Sequence, residues 1–475
     1  MKRKRIWWIV GGIVLFSGLL FFAFLSLREH PDYKRGADAL PEARRRAEEL
    51  MGQLTWAEHR EQRGVEASHD ENKWIALEES TPEMFAEYRD SFGTGPILYP
   101  VEELFKQNRD WLFSLAPQIG PMRLTRPTEN GEGWGSIGYD LRASRELVQQ
   151  IRYLLLGAAD AGDAEGVREA GEVGWMIIDR QMEEYDLITL FVSRGCLHQM
   201  ERYIVMGAVR NRHNKEIVQA LREVMADRPD RPPYSEAVIG EARTIEPMLR
   251  ELRNLEPGEV EVWVDEWFGA NSEYPDGGAF GEFVRSALRK LSGNEESVSN
   301  RKVGKNTAAA LEARFWESMV DCAEAAAELS YSKSDAHVRL RELDEFLESF
   351  SDRSYEFAAF SVPAGTSDFS ENYKLTMRDA SAIALELIAR YPEFADLPTA
   401  LPADLASPDP FGGEPLLYKK TPHGFVIYSR HENRVDDGYP LIGPDILQAQ
   451  TMFTKSKSNL DWGLVVAYDA ANSLP

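Results

Sequence analysis

Residues 140–211 read DLRASRELVQQIRYLLLGAADAGDAEGVREAGEVGWMIIDRQMEEYDLITLFVSRGCLHQMERYIVMGAVRN and decide the fold class. Apolar side chains recur at three- and four-residue spacing, which is typical of amphipathic helices; examples are Leu147, Ile151, Leu154 and Leu155. Residues 161–163, Ala-Gly-Asp, interrupt the pattern because glycine and aspartate favour helix ends. Connections this short make consecutive helices pack antiparallel. We therefore expect a helical bundle or a stack of helix hairpins.

Composition shifts along the chain predict further boundaries and a mainly α fold class. Pro41, followed by EARRRAEELMGQL, predicts a helix with proline at its first position. The proline-rich segment 227–234 predicts a boundary between helical regions, and the segment 291–306 predicts a polar surface loop. The predicted segments are a basic stub and transmembrane anchor (1–27), membrane-proximal helices with a Gly/Pro loop (28–138), a helical hairpin bundle (139–226), a second helical region (235–400) and a C-terminal β module (401–475).

The N-terminus carries the pattern of a membrane anchor. Residues 2–5, Lys-Arg-Lys-Arg, precede the apolar run 6–25, in which Ser17 is the polar exception. A helix of about 20 apolar residues spans the hydrocarbon core of a bilayer. The alternative is a cleaved signal peptide, but its apolar region is shorter and ends in an Ala-x-Ala-like site, which this run lacks. We expect a single-pass protein that contacts lipid through residues 6–25, with its N-terminus cytoplasmic and its bulk extracytoplasmic.

Charge and cysteine content bound the function. Asp and Glu number 78 against 54 Lys and Arg, and the net charge of −24 argues against nucleic acid as a partner. The 2 cysteines, Cys196 and Cys322, do not form a disulfide framework. Cys196 lies in an apolar helical run, so a buried free thiol and a bridge to Cys322 both stay open.

The C-terminal region changes from helical to strand periodicity. Residues 415–420 (PLLYKK) and 425–429 (FVIYS) predict two short strands joined by a tight loop, in which Gly424 would supply a positive φ. Residues 462–470 (WGLVVAYDA) predict a third strand. We therefore expect a small antiparallel β element.

Residues 409–438, DPFGGEPLLYKKTPHGFVIYSRHENRVDDG, also carry a family resemblance. They resemble the C-terminal stretch of the major pseudopilins of type II secretion, and more closely the tail of uncharacterised membrane-anchored helical proteins of bacteria. The chain lacks the pseudopilin processing site, so we do not expect a processed pilus subunit.

The resemblance implies a calcium-binding loop. The ligand-type residues at the matching positions are Ser429, Asn433, Asp436 and Asp437. Asn433 stands where the family has aspartate, and Arg434 puts a cation beside the loop, so the carboxylates that calcium prefers are fewer. A hydrogen-bonded turn without metal is the alternative. No other cofactor is expected.

Catalytic patterns are weak. No histidine pair has the i, i+4 spacing of a zinc helix and no Cys-x-x-Cys occurs. Residues 133–138 match G-x-G-x-x-G, but the polar sequence upstream does not predict the buried strand that a dinucleotide site needs. Asp265 and Glu266 lie in an aromatic stretch with Trp263 and Trp267, which fits a carbohydrate cleft or simple anchoring onto a helical core.

These observations predict a membrane-anchored envelope protein that acts as a non-enzymatic protein-interaction or scaffold module. The resemblance of its tail links it to secretion or envelope assembly. Protein partners are expected because stacked helices expose long grooves. The alternative is a membrane-tethered hydrolase of an envelope polymer that uses paired carboxylates at Asp265 or Glu266. A third alternative is a calcium-stabilised structural spacer.

Overall fold

A computed structural model describes a large part of the chain. The described residues are 31–52, 73–80, 101–122, 137–183, 187–229, 235–240, 242–243, 246, 254, 307–328, 365–411, 413–430, 435–436, 438, 451–455 and 462–468. They form two compact units. The domain boundaries expected from the sequence stay predictions.

The described residues form a mainly helical protein with a small antiparallel sheet, as expected. The helices are α1 (Pro31–Met51), α2 (Lys73–Glu79), α3 (Val101–Ile119), α4 (Ile137–Ala161), α5 (Ala164–Glu183), α6 (Leu187–Arg210), α7 (Lys215–Ala226), α8 (Thr307–Glu328) and α9 (Gly365–Arg390). The strands are β1 (Leu417–Thr421), β2 (Gly424–Ser429), β3 (Thr451–Lys455) and β4 (Trp462–Ala467). Short 3₁₀ turns lie at Phe394–Asp396 and Ala403–Leu405.

One unit contains α1 and the part of α8 up to residue 322. Arg44 of α1 pairs with the fully buried Glu312 of α8 at 2.5 Å, and Trp316 donates its indole N–H to the same carboxylate. Helix α1 begins ten residues before the expected start, so Pro41 lies inside it and not at its first position.

The other unit is built around α4, which packs against α2, α3, α5 and α6. Close contact between α3 and α4 depends on Gly157, because a Cβ there would collide with the carbonyl oxygen of Val101 and lie 2.7 Å from Cβ of Phe105. Gly174 of α5 likewise leaves room for Met200 of α6, whose Cε would lie 2.5 Å from an added Cβ. These glycines are tolerated inside helices because they allow neighbouring backbones and side chains to approach.

The turn between α4 and α5 confirms the break expected at residues 161–163. Gly162 has a φ of 74°, and the carboxylate of Asp163 accepts the Gly166 N–H at 2.9 Å, which caps α5. Helix α7 begins in the same way, with Asn214 accepting from the N–H groups of Glu216 and Ile217.

The four strands of the described sheet are ordered β1-β2-β4-β3 and are antiparallel throughout. Both strands expected in 415–429 and the strand expected from residue 462 are confirmed; β3 is an addition. Gly424 begins β2 and is not among the positive-φ glycines, so the expected reason for it is wrong. It is needed because a Cβ would collide with the Val466 carbonyl oxygen.

Both faces of the sheet contain buried side chains. Side chains alternate between faces along a strand, so Phe425, Ile427, Leu464 and Val466 share a face. All four are fully buried, and helix α9 packs against β2 and β4. Val426, Tyr428 and Val465 form a second buried cluster on the opposite face.

Within the described residues, no helix combines the length and the apolar character needed to cross a membrane. The expected anchor, residues 6–25, lies outside those residues.

Candidate functional site

The C-terminal module begins with a tight turn in the sequence Asp-Pro-Phe-Gly-Gly-Glu, residues 409–414. The Asp409 N–H donates to the Glu414 carbonyl at 2.6 Å, and the Gly413 N–H donates to the Asp409 carbonyl at 2.7 Å. Gly413 has a φ of 73°, a conformation that glycine adopts without steric penalty. The turn therefore folds back on itself and leads directly into β1.

The Asp409 carboxylate joins this turn to the end of β2. It accepts the Ser429 hydroxyl at 2.7 and 2.8 Å, and the backbone N–H groups of Phe411 and Arg430 at 3.0 Å each. Asp409 is 3% exposed and Ser429 is fully buried. We call this set of hydrogen bonds the Asp409 clasp. Because it connects residues about twenty positions apart, it fixes the turn to the sheet.

Burial raises the pKa of Asp409, and the Phe411, Ser429 and Arg430 donors oppose that rise. Burial disfavours the charged carboxylate, whereas each donor favours it. Arg430 also forms an ion pair with Glu414, which closes the turn a second time. The clasp therefore holds a carboxylate in place by hydrogen bonds, which is a structural use of that group.

The segment after β2 is attached to the other face of the sheet. Tyr428 donates its hydroxyl to Asp436 Oδ1 at 3.2 Å, and the Gly438 N–H donates to the same oxygen at 3.2 Å. Tyr428 and Ser429 are consecutive strand residues, so their side chains point to opposite faces. Asp436 is thus engaged on the face opposite the Asp409 clasp.

The calcium prediction concerned Ser429, Asn433, Asp436 and Asp437. The two described members do not meet, because Ser429 bonds Asp409 on one face and Asp436 bonds Tyr428 on the other. Asn433 and Asp437 lie outside the described residues. Among the residues that the structure covers, no cluster of three His, Cys, Asp or Glu side chains is arranged to hold a metal ion. Calcium binding stays a prediction, and calorimetric titration with Ca²⁺ tests it.

Several polar contacts fix the module on the helices of its own unit. Tyr468 donates its hydroxyl to the Tyr391 carbonyl at 3.0 Å, and the Arg212 guanidinium lies 5.4 Å from the Tyr468 ring centroid. Lys420 of β1 donates to the carbonyls of Ala395 and Leu397 at 3.1 and 2.9 Å. The turn, the sheet and the helix ends therefore form one connected structure.

Comparison of the chain with protein families, with curated proteins and with solved structures finds no match. The resemblance of residues 409–438 to the pseudopilin tail therefore stays a prediction from the sequence.

The other sequence-predicted positions are distributed as follows. Asp265 and Glu266, the carboxylates of the hydrolase alternative, lie outside the described residues, as do residues 133–136 of the glycine pattern. Cys196 carries a free, buried thiol whose pKa burial raises to about 12. Asp409 was missed by sequence reasoning. Its available signal was its place at the start of a Pro/Gly turn, where aspartate commonly accepts a hydrogen bond from the backbone two residues on.

Proposed function

We propose that the chain is a single-pass membrane protein whose folded part lies outside the cytoplasm and acts by binding protein partners, without catalysis. The proposal extends to a role in secretion or envelope assembly, which the C-terminal tail suggests.

The anchor part of the proposal is supported by the sequence of the N-terminus. The basic residues 2–5 favour retention of that end in the cytoplasm, and the apolar run 6–25 matches the bilayer thickness. A net charge of −24 suits a soluble exported region and opposes binding to anionic lipid surfaces.

The proposal that the protein is not an enzyme is supported mainly by its buried carboxylates. In the described residues, Glu201, Glu312 and Asp409 are engaged in ion pairs or hydrogen bonds within the fold. Glu201 of α6 pairs with Arg228 at 2.6 Å, and both side chains are at least nine-tenths buried. Glu312 pairs with Arg44, and Asp409 is held by the clasp. A catalytic acid or base has to reach a substrate, whereas these groups are committed to helix and strand contacts. They favour a rigid framework over a reactive cleft.

A rigid framework suits partner binding because little conformational entropy is lost when a preorganised surface associates. The glycine-mediated contacts at Gly157 and Gly174 and the clasp at Asp409 all restrict movement between elements. The proposed function uses this unit as a fixed support that presents its polar surface to another envelope protein.

Affinity capture from gently solubilised membranes tests the proposal. The bait is the full-length chain, and a matched bait carries an unrelated single-pass anchor in place of residues 1–27. We expect the same envelope protein with both baits at near-stoichiometric yield, because the exported part would carry the interaction. If the native bait captures no envelope protein above background, the proposal is contradicted.

A second arm separates the hydrolase alternative. The double substitution Asp265→Asn/Glu266→Gln removes both carboxylates while keeping side-chain size. If the protein acts by binding, the variant should still capture the partner, and cells that carry it should show the same phenotype as cells with the native chain. Loss of function with unchanged partner capture supports the hydrolase instead.

A further inference from the structure

Arg152 is a buried charged side chain in a stretch of helix α4 whose neighbouring apolar residues are also buried. It lies in α4, next to the fully buried Ile151, and is itself 6% exposed. Moving a guanidinium out of water is costly by several kcal/mol unless an anion and further hydrogen bonds compensate it. We therefore ask whether the contacts of Arg152 include an anion that would compensate the cost of burying its charge.

Those contacts are all neutral. Arg152 donates to the amide oxygen of Gln199 and, at 3.5 Å, to the Tyr153 hydroxyl. Its Cζ lies 5.0 Å from the Tyr153 ring centroid and 4.8 Å from that of Tyr203. Among the described residues no carboxylate pairs with Arg152, and its buried Nε has no hydrogen-bond acceptor. Cation–π contacts contribute about 2 kcal/mol at a desolvated site, which is less than the desolvation of the ion.

A second guanidinium increases the positive charge of the same region. Arg202 is partly buried on α6, and its pKa is lowered chiefly by burial and further by the charge of Arg152. The Tyr203 hydroxyl interacts with that of Tyr153, so two phenol groups lie beside the guanidinium. In a chain of net charge −24, this places concentrated positive charge and neutral donors between α4 and α6.

We propose that Arg152, together with Tyr153, Tyr203 and Arg202, is a binding site for a small carboxylate or phosphate anion. The Nε of Arg152 and its neighbouring terminal nitrogen form a planar edge that matches two oxygens of such an anion. The ligand is small because Tyr153 and Tyr203 are each only 5–6% exposed. This site is independent of the proposed partner binding.

Isothermal titration calorimetry and thermal unfolding of the full-length protein test the site. The probes are inorganic phosphate and acetate, with chloride at equal ionic strength as the reference. We expect at least one of the two anions to bind and to raise the melting temperature by about 3 °C at ten times its Kd. Phosphate alone or acetate alone identifies the chemistry of the ligand.

Two variants assign the binding to Arg152. Arg152→Gln should abolish it, and Arg152→Lys, which keeps the charge but loses the planar edge, should weaken it about tenfold. The control is Arg168→Gln, which removes a half-exposed arginine of α5 that pairs with Glu223, and should leave binding unchanged. If Arg152→Gln does not fold, the lysine variant carries the assignment. Absence of binding to both anions, or equal binding in the Arg152 variants, overturns the proposal.

Discussion

Substituting Ser429 by alanine removes the one side-chain donor of the Asp409 clasp. The hydroxyl lies 2.7 and 2.8 Å from the two carboxylate oxygens, and both residues are buried. Alanine keeps the backbone and leaves almost no cavity, so the lost hydrogen bond dominates the effect. A hydrogen bond to a charged group contributes about 1.5–3 kcal/mol. We expect Ser429→Ala to destabilise the C-terminal module by about 2 kcal/mol at pH 7.

The loss should depend on pH in a defined direction. Burial raises the pKa of Asp409, and the Ser429 hydroxyl is one of the donors that oppose the rise. Its removal therefore raises that pKa further. A carboxyl whose folded-state pKa exceeds its unfolded value contributes stability at low pH that is lost as pH rises through the folded pKa. The destabilisation caused by Ser429→Ala should therefore be larger at pH 7 than at pH 4, because protonation of the Asp409 carboxyl replaces a charge-assisted hydrogen bond with a weaker neutral one.

Hydrogen–deuterium exchange of the segment that contains Phe411 and Arg430 measures this locally, because exchange reports the free energy of opening of that part of the fold. The matched control is Ser407→Ala, which removes a hydroxyl that donates at 2.8 Å to the partly exposed Asp379. We expect a smaller loss for Ser407→Ala at pH 7. An equal loss at both pH values for Ser429→Ala, or a larger loss at pH 4, refutes the reasoning.

Three further predictions concern packing, a buried ion pair and the anchor. Gly157→Ala should destabilise by about 3 kcal/mol in thermal unfolding, because its Cβ collides with backbone, while Gly195→Ala, with nothing within 4 Å, should be neutral or slightly stabilising. Arg228→Met should cost about 3 kcal/mol in urea unfolding by leaving Glu201 buried and without this partner, and a second substitution, Glu201→Leu, should recover much of it. Leu15→Arg should weaken membrane association in carbonate extraction, since arginine mid-span costs about 3 kcal/mol; Leu15→Val should not.

Local patterns predicted the helices and most of the sheet. The three- and four-residue spacing in 140–211 places buried side chains on one face, and Leu147, Ile151 and Leu155 are all fully buried. Strand β3 was missed because Thr451–Lys455 is a short edge strand that is specified by its pairing with β4, not by its own sequence. Pro41 led to the wrong start for α1, because a proline inside a helix has the same local sequence pattern as a proline at a helix start.

The chemistry of the side chains was harder to predict than the fold. Asp409 and Ser429 are twenty positions apart, and only the register of β2 and the folded turn bring them together. Arg152 lies within the apolar sequence Ile-Arg-Tyr-Leu-Leu-Leu, so the sequence already indicates a charged residue on a buried helix face. Its contact with Gln199 depends on the packing of α6 on α4, which periodicity does not specify.

The most direct test of partner binding is photo-cross-linking in living cells. A photoreactive residue is placed at one exposed position at a time in the full-length chain: Gln219 on α7, Val435 after β2 or Glu42 on α1. We expect a light-dependent adduct with one envelope protein from at least one position, identified by mass spectrometry. Absence of any adduct above the dark control at all three positions, with the chain in the membrane at normal level, would contradict it.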